Sequence, residues 1–536
     1  MKRRWRSMRK FKQQFLAGPY LIWIIGFILL PLIMILYYAF TNGDGSFTLS
    51  YITAIADETN RKAMGLSLRL GIICTIVCLV LSYPLAMILN NRKIKNQGLV
   101  VFIFMLPMWM NFMLRILAWK LLLSKNGVIN SILTGFGLSR INIINTPTAV
   151  VLGMVYDFLP FMLLPIYNSM TRIRKDWIEA ARDLGAGNVT IFLKIILPLT
   201  VSGIISGIVM VFVPSLTSFA ISQVLGGGHV LLIGNVIEQD FMQGMQWNAG
   251  SGLSFVLMIF VIASMTIVNI FDKEGGNIHM LKKCASRIYM VLIFAFLYLP
   301  IIVLIALSFN DSRSKVKWGG FTLRWYTGCF QDEKIMTAFV TTLQVTFLSA
   351  IISTLIGTLA GIAAMKKRHQ TIYLGATNIP LLNADIVTGI SMMLLFVKFI
   401  DLGFVTVLLA HITFSIPYVI LNVLPKMKQT NRSTYEAALD LGATPLYAFY
   451  KVTWPEIRPG VFSGFMMAVT MSLDDFSITY FTKGAGVNTL STMLYTELRK
   501  GIKPELYALS TILFFAVLLI LLAGNVYPGK KRVAAK

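Results

Sequence analysis

About a dozen apolar runs dominate the chain, near 19–40, 66–90, 99–123, 147–170, 197–221, 249–270, 287–309, 339–364, 373–399, 403–425, 456–480 and 503–525. A helix needs about 20 mostly apolar residues to cross a bilayer, whereas a barrel strand needs only about ten, with inward and outward residues alternating. These runs are too long for strands and do not alternate. Hydrophobic residues are 56% of the chain and charged residues 13%, so most of the length cannot form a solvated globular surface. The expectation is an all-α polytopic membrane protein with about 12 transmembrane helices.

The net charge of +25 is compatible with nucleic-acid binding until the charges are placed. Lys and Arg cluster at Lys2–Lys12, Arg92–Lys95, Arg172–Lys175, Lys282–Arg287, Lys366–Arg368 and Lys530–Arg532. These are alternate connections, the signature of loops retained in the cytoplasm. The pattern predicts both termini cytoplasmic, a bacterial cytoplasmic membrane location and no nucleic-acid partner. The first run is too long for a cleaved leader and no small-x-small site follows it, so it reads as an uncleaved span. Cys74, Cys78, Cys284 and Cys329 and the four histidines are scattered, giving neither a disulfide framework nor a metal pattern.

A polar segment occurs twice, Glu179-Ala180-Ala181-Arg182-Asp183-Leu184-Gly185-Ala186 and Glu436-Ala437-Ala438-Leu439-Asp440-Leu441-Gly442-Ala443. The two glutamates, the two glycines and the prolines that follow, Pro198 and Pro455, are each 257 residues apart. At the same spacing Pro160 matches Pro417, and Ser215-Leu216-Thr217-Ser218-Phe219 matches Ser472-Leu473-Asp474-Asp475-Phe476. Nearer the start of each half the spacing widens: Pro107 and Pro380 are 273 apart, and Phe47-Thr48-Leu49 and Phe321-Thr322-Leu323 are 274 apart. The chain therefore divides into a tail, first span and outer loop (1–64), a first repeated domain (65–270), a cytoplasmic linker (271–286), a seventh span with its outer loop (287–340), a second repeated domain (341–525) and a basic tail (526–536). Six spans per half make the repeats parallel, with a path between them.

Glu-Ala-Ala followed by glycine suits a short helix ended by a left-handed turn, and a proline then opens the next span. The pattern Glu-Ala-Ala, Gly, Ile-x-x-Pro resembles the coupling motif of type I permeases of binding-protein-dependent ABC importers, over nearly the whole chain in two units. The resemblance implies that Glu179, Ala180, Ala181 and Gly185, with Glu436, Ala437, Ala438 and Gly442, dock two copies of a cytoplasmic ATPase. The chain has no Walker pattern, since Gly529-Lys530-Lys531 lacks the earlier glycine and the hydroxyl residue. ATP and magnesium would be bound by that partner, not here, and the chain would be a permease rather than an enzyme. Pro107 to Arg115 and Gly226 to Asn235 resemble the first permease subunit of spermidine/putrescine importers. Ser472 to Phe476, Gly486 to Thr492 and Gly501 to Glu505 resemble the second, implying a fusion of the two, fed by an extracytoplasmic binding protein.

Acids inside spans are expensive and usually functional, and polyamine ammonium groups call for carboxylates and aromatic faces. The path candidates are Asp157, Asp385, Asp474 and Asp475, with Trp109, Tyr156 and Phe219. The competing reading of Asp157 is a pair with Arg115. Asp385 and the Asp474–Asp475 pair could equally brace structure, and His411 reads as a satisfied core histidine. Iron, thiamine or a phosphonate are alternative cargoes for the same machine. A proton- or sodium-driven transporter is the alternative class, and it leaves the paired Glu-Ala-Ala segments without a role.

Overall fold

The computed structural model describes residues 18–91, 100, 103–270, 285–312, 318–364, 377, 384–500 and 503–526. The expected linker at 271–284, the C-terminal tail from 527, and every basic cluster except Arg172–Lys175 and Arg287 lie outside them. The first half contributes α1 (Gly18–Phe40), α2 (Glu58–Asn91), α3 (Phe112–Leu123), α4 (Pro147–Thr171), α5 (Lys175–Asp183), α6 (Leu197–Leu216), α7 (Phe219–Leu225), α8 (Ile233–Met242) and α9 (Trp247–Ile270). The second contributes α10 (Ala285–Ser308), α11 (Arg324–Gln331), α12 (Glu333–Ala363), α13 (Asp385–Phe399), α14 (Phe404–Gln429), α15 (Arg432–Asp440), α16 (Trp454–Asp474), α17 (Ser477–Thr482), α18 (Leu490–Lys500) and α19 (Pro504–Val526). Shorter helices are left unlabelled. Among the described residues the only β-type pairing is two isolated bridges, Thr41 with Phe47 and Asn310 with Phe321. The described residues form an all-α fold. Among them eight helices are long and apolar enough to cross a membrane.

The expected third and ninth spans differ from simple rods. In the first half a short turn at Leu106–Trp109 and an extended Met110 precede α3, whose first turn is capped by the Asn111 side chain accepting from Met113 N–H at 3.1 Å. In the second half a helix begins afresh at Asp385. The two starts, Phe112 and Asp385, are 273 residues apart, the spacing of Pro107 and Pro380. Asp385 is thus an N-terminal residue of a helix, not a mid-helix one as a continuous span would make it.

Proline sets a second repeated irregularity. Lacking an N–H, it cannot continue the i to i−4 ladder, and the turn before it widens. Leu197 N–H reaches Phe192 O ahead of Pro198, and Trp454 N–H reaches Phe449 O ahead of Pro455, each closing a π turn. Where α4 meets α6, and α14 meets α16, the crossings are tight because glycines fall at one register. A Cβ on Gly203 would stand 2.4 Å from Ser169 Oγ, and one on Gly460 2.7 Å from Lys426 Cγ. Close approach of backbones through small residues supplies much of the packing between helices in lipid, where no hydrophobic drive separates helix from solvent.

Packing groups the chain into two compact units that cut across the sequence halves. One comprises residues 1–61, 236–263 and 337–492, and the other 62–235, 264–336 and 493–536. Each unit therefore takes four central spans from one half and the outermost spans of the other. In the first unit α1 is sewn to the second-half spans by Tyr20 OH with Thr377 Oγ1 at 2.6 Å and by Trp23 Nε1 donating to Thr413 Oγ1 at 3.0 Å. Tyr20, Ile24 and Ile28 are buried there against Ala360, Ile412 and Ile416. In the second unit α10 lies on the first-half spans. Pro84 leaves the Val80 carbonyl of α2 without its helical donor, and the Tyr289 hydroxyl reaches that turn, at 3.3 Å from Val80 O and 2.6 Å from Leu81 O.

Candidate functional site

The two Glu-Ala-Ala segments form α5 and α15, each nine residues long. Their ends match bond for bond. Leu184 N–H donates to Ala180 O, Gly185 N–H to Arg182 O and Ala186 N–H to Ala181 O, while Leu441 donates to Ala437, Gly442 to Leu439 and Ala443 to Ala438, all within 2.9–3.1 Å. These closing bonds put Gly185 at φ +79° and Gly442 at φ +89°, in the left-handed region that a side chain disfavours. Glu179, Ala180, Glu436 and Ala437 are exposed, and Ala181 and Ala438 half-buried. The leucine before each glycine is thrown outward, Leu184 to 88% exposure and Leu441 to 90%. In both copies the closing turn thus holds an apolar side chain away from the protein. The starts differ: the Asn431 side chain caps α15 by accepting from Ser433 N–H at 3.0 Å, whereas α5 has no side-chain cap.

The acids fall into two settings. In the second unit Asp157 of α4 is buried and stands 2.7 Å from Arg115 of α3, so the pair is neutral. Beside it Tyr156 OH donates to Leu297 O at 3.1 Å, and its ring meets those of Trp119 and Phe296 edge-on. Phe219 is buried at the start of α7. The backbone of Trp109 lies in the short turn before α3, and its side chain is outside the described residues.

In the first unit α13, α16 and α17 bring three acids toward one region. Asp385 opens α13 and is solvent-exposed. Asp474 ends α16, and Asp475 begins the turn into α17. Asp475 Oδ2 accepts from Thr479 N–H at 2.8 Å and Thr479 O–H at 2.7 Å, and Oδ1 from Ile478 N–H at 3.3 Å. Glu238, not singled out from the sequence, and His411, read there as a satisfied core histidine, join this unit. Glu238 of α8 is buried and accepts from Tyr480 OH at 2.8 Å; a glutamate on an amphipathic connecting helix carries no mark of burial in the sequence. His411, read as a core residue, contacts both Thr479 and Ser472. Among the described residues no three His, Cys, Asp or Glu side chains are grouped to hold a metal.

Outside the spans, burial pushes the Asp240 carboxyl of α8 up to about 6. Just before α12 burial opposes ionisation of Asp332. The Lys503 ammonium at 2.9 Å and the backbone N–H groups of Ile335 and Lys334 outweigh it, so this carboxyl lies below its ordinary value.

A family model described as binding-protein-dependent transport system inner membrane component matches residues 15–273 and again 279–527. The chain belongs to this family. It carries two such permease units in tandem, and the family's members are transport components rather than enzymes. The permease is 39% identical over 254 residues to the spermidine/putrescine transport system permease protein PotB of Escherichia coli, covering 46% of this chain and 92% of the relative. It is 37% identical to PotB of Haemophilus influenzae, over 45% of this chain and 86% of the relative. The putrescine transport system permease protein PotI of Escherichia coli matches at 35%, over 45% and 90%. Each relative thus spans one unit, and the present permease joins two such units in one polypeptide. A solved chain of a bacterial alginate ABC transporter, in complex with its alginate-bound periplasmic protein, aligns at 18% identity and TM-score 0.45, covering 51% of this chain and 99% of that one.

Proposed function

We propose that the permease forms the translocation path of an ATP-driven polyamine importer and transmits the power stroke through α5 and α15. The observation that carries the coupling role is the duplicate geometry: one helix end, one set of closing bonds and one outward leucine, made twice. Two equal docks suit two copies of one ATPase, which would bind ATP and magnesium. On this reading both docks and both termini face the cytoplasm, and an extracytoplasmic binding protein delivers cargo to the opposite face. The six sequence segments bounded at 64, 270, 286, 340 and 525 keep their assigned roles, with the two permease domains at 65–270 and 341–525.

The cargo assignment draws on the polyamine permeases among the relatives and on the acids. Asp157 is neutralised by Arg115 and has little to offer a cation. Asp385 is accessible to solvent at the start of α13, and Asp474 and Asp475 belong to the same unit. Trp109, Tyr156 and Phe219 of the first half remain the aromatic candidates of this reading, although Tyr156 and Phe219 are buried. Uptake of radiolabelled spermidine and putrescine, with cognate ATPase and binding protein present, tests the reading. Asp385→Asn and Asp475→Asn should each cut uptake while leaving the permease in the membrane. Full uptake by both variants overturns the acidic path. ATP-independent uptake that collapses with an uncoupler overturns the importer mechanism itself.

A further inference from the structure

His411 lies in the interior of α14 with about 1% of its surface exposed. Its ring is held at both ends: Nδ1 is 2.7 Å from Ser472 Oγ and Nε2 is 2.8 Å from Thr479 Oγ1, with Asp475 Oδ2 3.5 Å from Nε2. The proton on each group follows from what its neighbour can do. An ionised carboxylate only accepts, so the Thr479 hydroxyl proton is committed to Asp475 Oδ2 at 2.7 Å. The Thr479 oxygen can then only accept from the ring, which places a proton on Nε2. A neutral imidazole with Nε2–H has Nδ1 as acceptor, so Ser472 donates to it. Ser472 Oγ in turn lies 3.1 Å from Ser349 Oγ on α12. A hydrogen-bonded relay thus runs from Ser472 of α16 through the His411 ring of α14 and Thr479 to the carboxylate on the α16–α17 turn, with the Ser349 hydroxyl of α12 donating to Thr346 O at 3.1 Å beside it.

The relay fixes which oxygen of Asp475 is occupied. Oδ2 takes two short bonds from Thr479, and Oδ1 keeps only the longer one from Ile478. The corresponding positions of the other half, 257 residues earlier, are Met154, Ser215, Ser218 and Ser222. There the imidazole and the acid are both absent, and Ser222 turns instead to Asn235 Oδ1. Histidine and carboxylate thus occur together in one unit and are missing together in the other.

We propose that His411 is a positioning residue for transport. Acting through Thr479, it holds the Asp475 carboxylate with Oδ1 turned to receive an ammonium group of the cargo. The proposal rests on Asp475 lining the path, and the test separates the two ideas. Spermidine uptake and binding-protein-stimulated ATP hydrolysis are measured in proteoliposomes of the complete transporter, and the readout is uptake per ATP. Thr479→Val removes the hydroxyl at nearly constant volume, and His411→Phe keeps a ring without its nitrogens. Each should lower uptake per ATP about tenfold, the scale of one hydrogen bond to a charged group, with ATP hydrolysis retained. A side chain that merely braces the fold would lower both readings together. His411→Gln, whose amide can still donate to Thr479, should recover most of the ratio. Asp475→Asn combined with Thr479→Val should be no worse than Asp475→Asn alone, because both act on one interaction. If Asp475→Asn lowers the ratio while Thr479→Val and His411→Phe leave it unchanged, or if the double variant multiplies the losses, the positioning role is overturned and the path stands. If Asp475→Asn itself transports as well as the parent, both ideas fall.

Discussion

The turns after α5 and α15 and the breaks after α6 and α16 lie at opposite ends of the same spans, and they diverge in opposite ways. At the first, the two halves keep the same three closing bonds, the same left-handed glycine and the same exposed leucine. At the second, Thr217 and Ser218 stand where the other half has Asp474 and Asp475. On the proposed reading, a surface that engages one kind of partner twice would be constrained in both copies, whereas acids that serve the cargo need not be duplicated. The buried ionisable groups follow the same logic: one half buries Arg115 with Asp157, the other His411 near Asp475, at positions that do not correspond.

The largest test of the symmetric end is the double change Glu179→Ala with Glu436→Ala. We expect it to abolish uptake with the permease still present in membranes, and the two single changes to reduce uptake by similar factors. A large disparity between the singles would break the equivalence of the docks. For the asymmetric end, Arg115→Ala strands a buried carboxylate and should cost about 3–5 kcal/mol, read as a lowered unfolding temperature and poorer yield in detergent. Its counterpart by the spacing of α3 and α13, Thr388→Ala, should cost about 1 kcal/mol or less. Replacing the pair together, Arg115→Gln with Asp157→Asn, should recover much of the loss. Next come Gly207→Leu and Gly464→Leu at the paired helix crossings. A Cβ there would meet Met162 Sδ at 2.6 Å and Val419 Cα at 3.2 Å, so each should cost about 1–3 kcal/mol by overpacking. The second should cost at least as much, since the Met162 thioether can swing aside whereas the Val419 backbone cannot.

The smallest effect belongs to the Asp332–Lys503 pair. Because folding lowers the Asp332 pKa, its contribution is present above the ordinary carboxylate value and is lost as pH falls through the lowered one. Because folding raises the Lys503 pKa, chiefly through its bond to Asp332, the same contribution disappears as pH rises through that raised value. The pair is partly exposed, so it should contribute under about 1 kcal/mol and weaken with salt. Lys503→Met should flatten the acid limb of stability against pH, and an unchanged limb would show the pair to be idle.

Much of the Glu-Ala-Ala segment was legible because everything that shapes it is local. The Glu-Ala-Ala run, the glycine and the following proline lie within about twenty residues, and capping and turn chemistry act over that distance. The path region was only partly legible. Asp385, Asp474 and Asp475 stood out as acids in apolar surroundings, but His411 passed as a core residue because its partners, Ser472 and Thr479, lie 61 and 68 residues away. Glu238 escaped because its partner, Tyr480, is 242 residues distant. The pairing of Asp157 with Arg115 could be weighed only as one of two readings until the packing of α3 on α4 joined them.

Run length, charge alternation and the 257-residue register are properties of the chain read in order. They sufficed for a helical membrane protein of two tandem permease units with matched turns. Which helices keep company is another matter. That α1 and α9 pack with the second half's central spans, and α10 and α19 with the first's, depends on which apolar faces and small-residue grooves fit when all are present at once. Apolar spans look alike to one another in sequence, and lipid solvates any of them. Shape complementarity and a few long-range hydrogen bonds, such as Tyr20 to Thr377 and Tyr289 to Leu81, make the choice. They exist only in the folded tertiary structure.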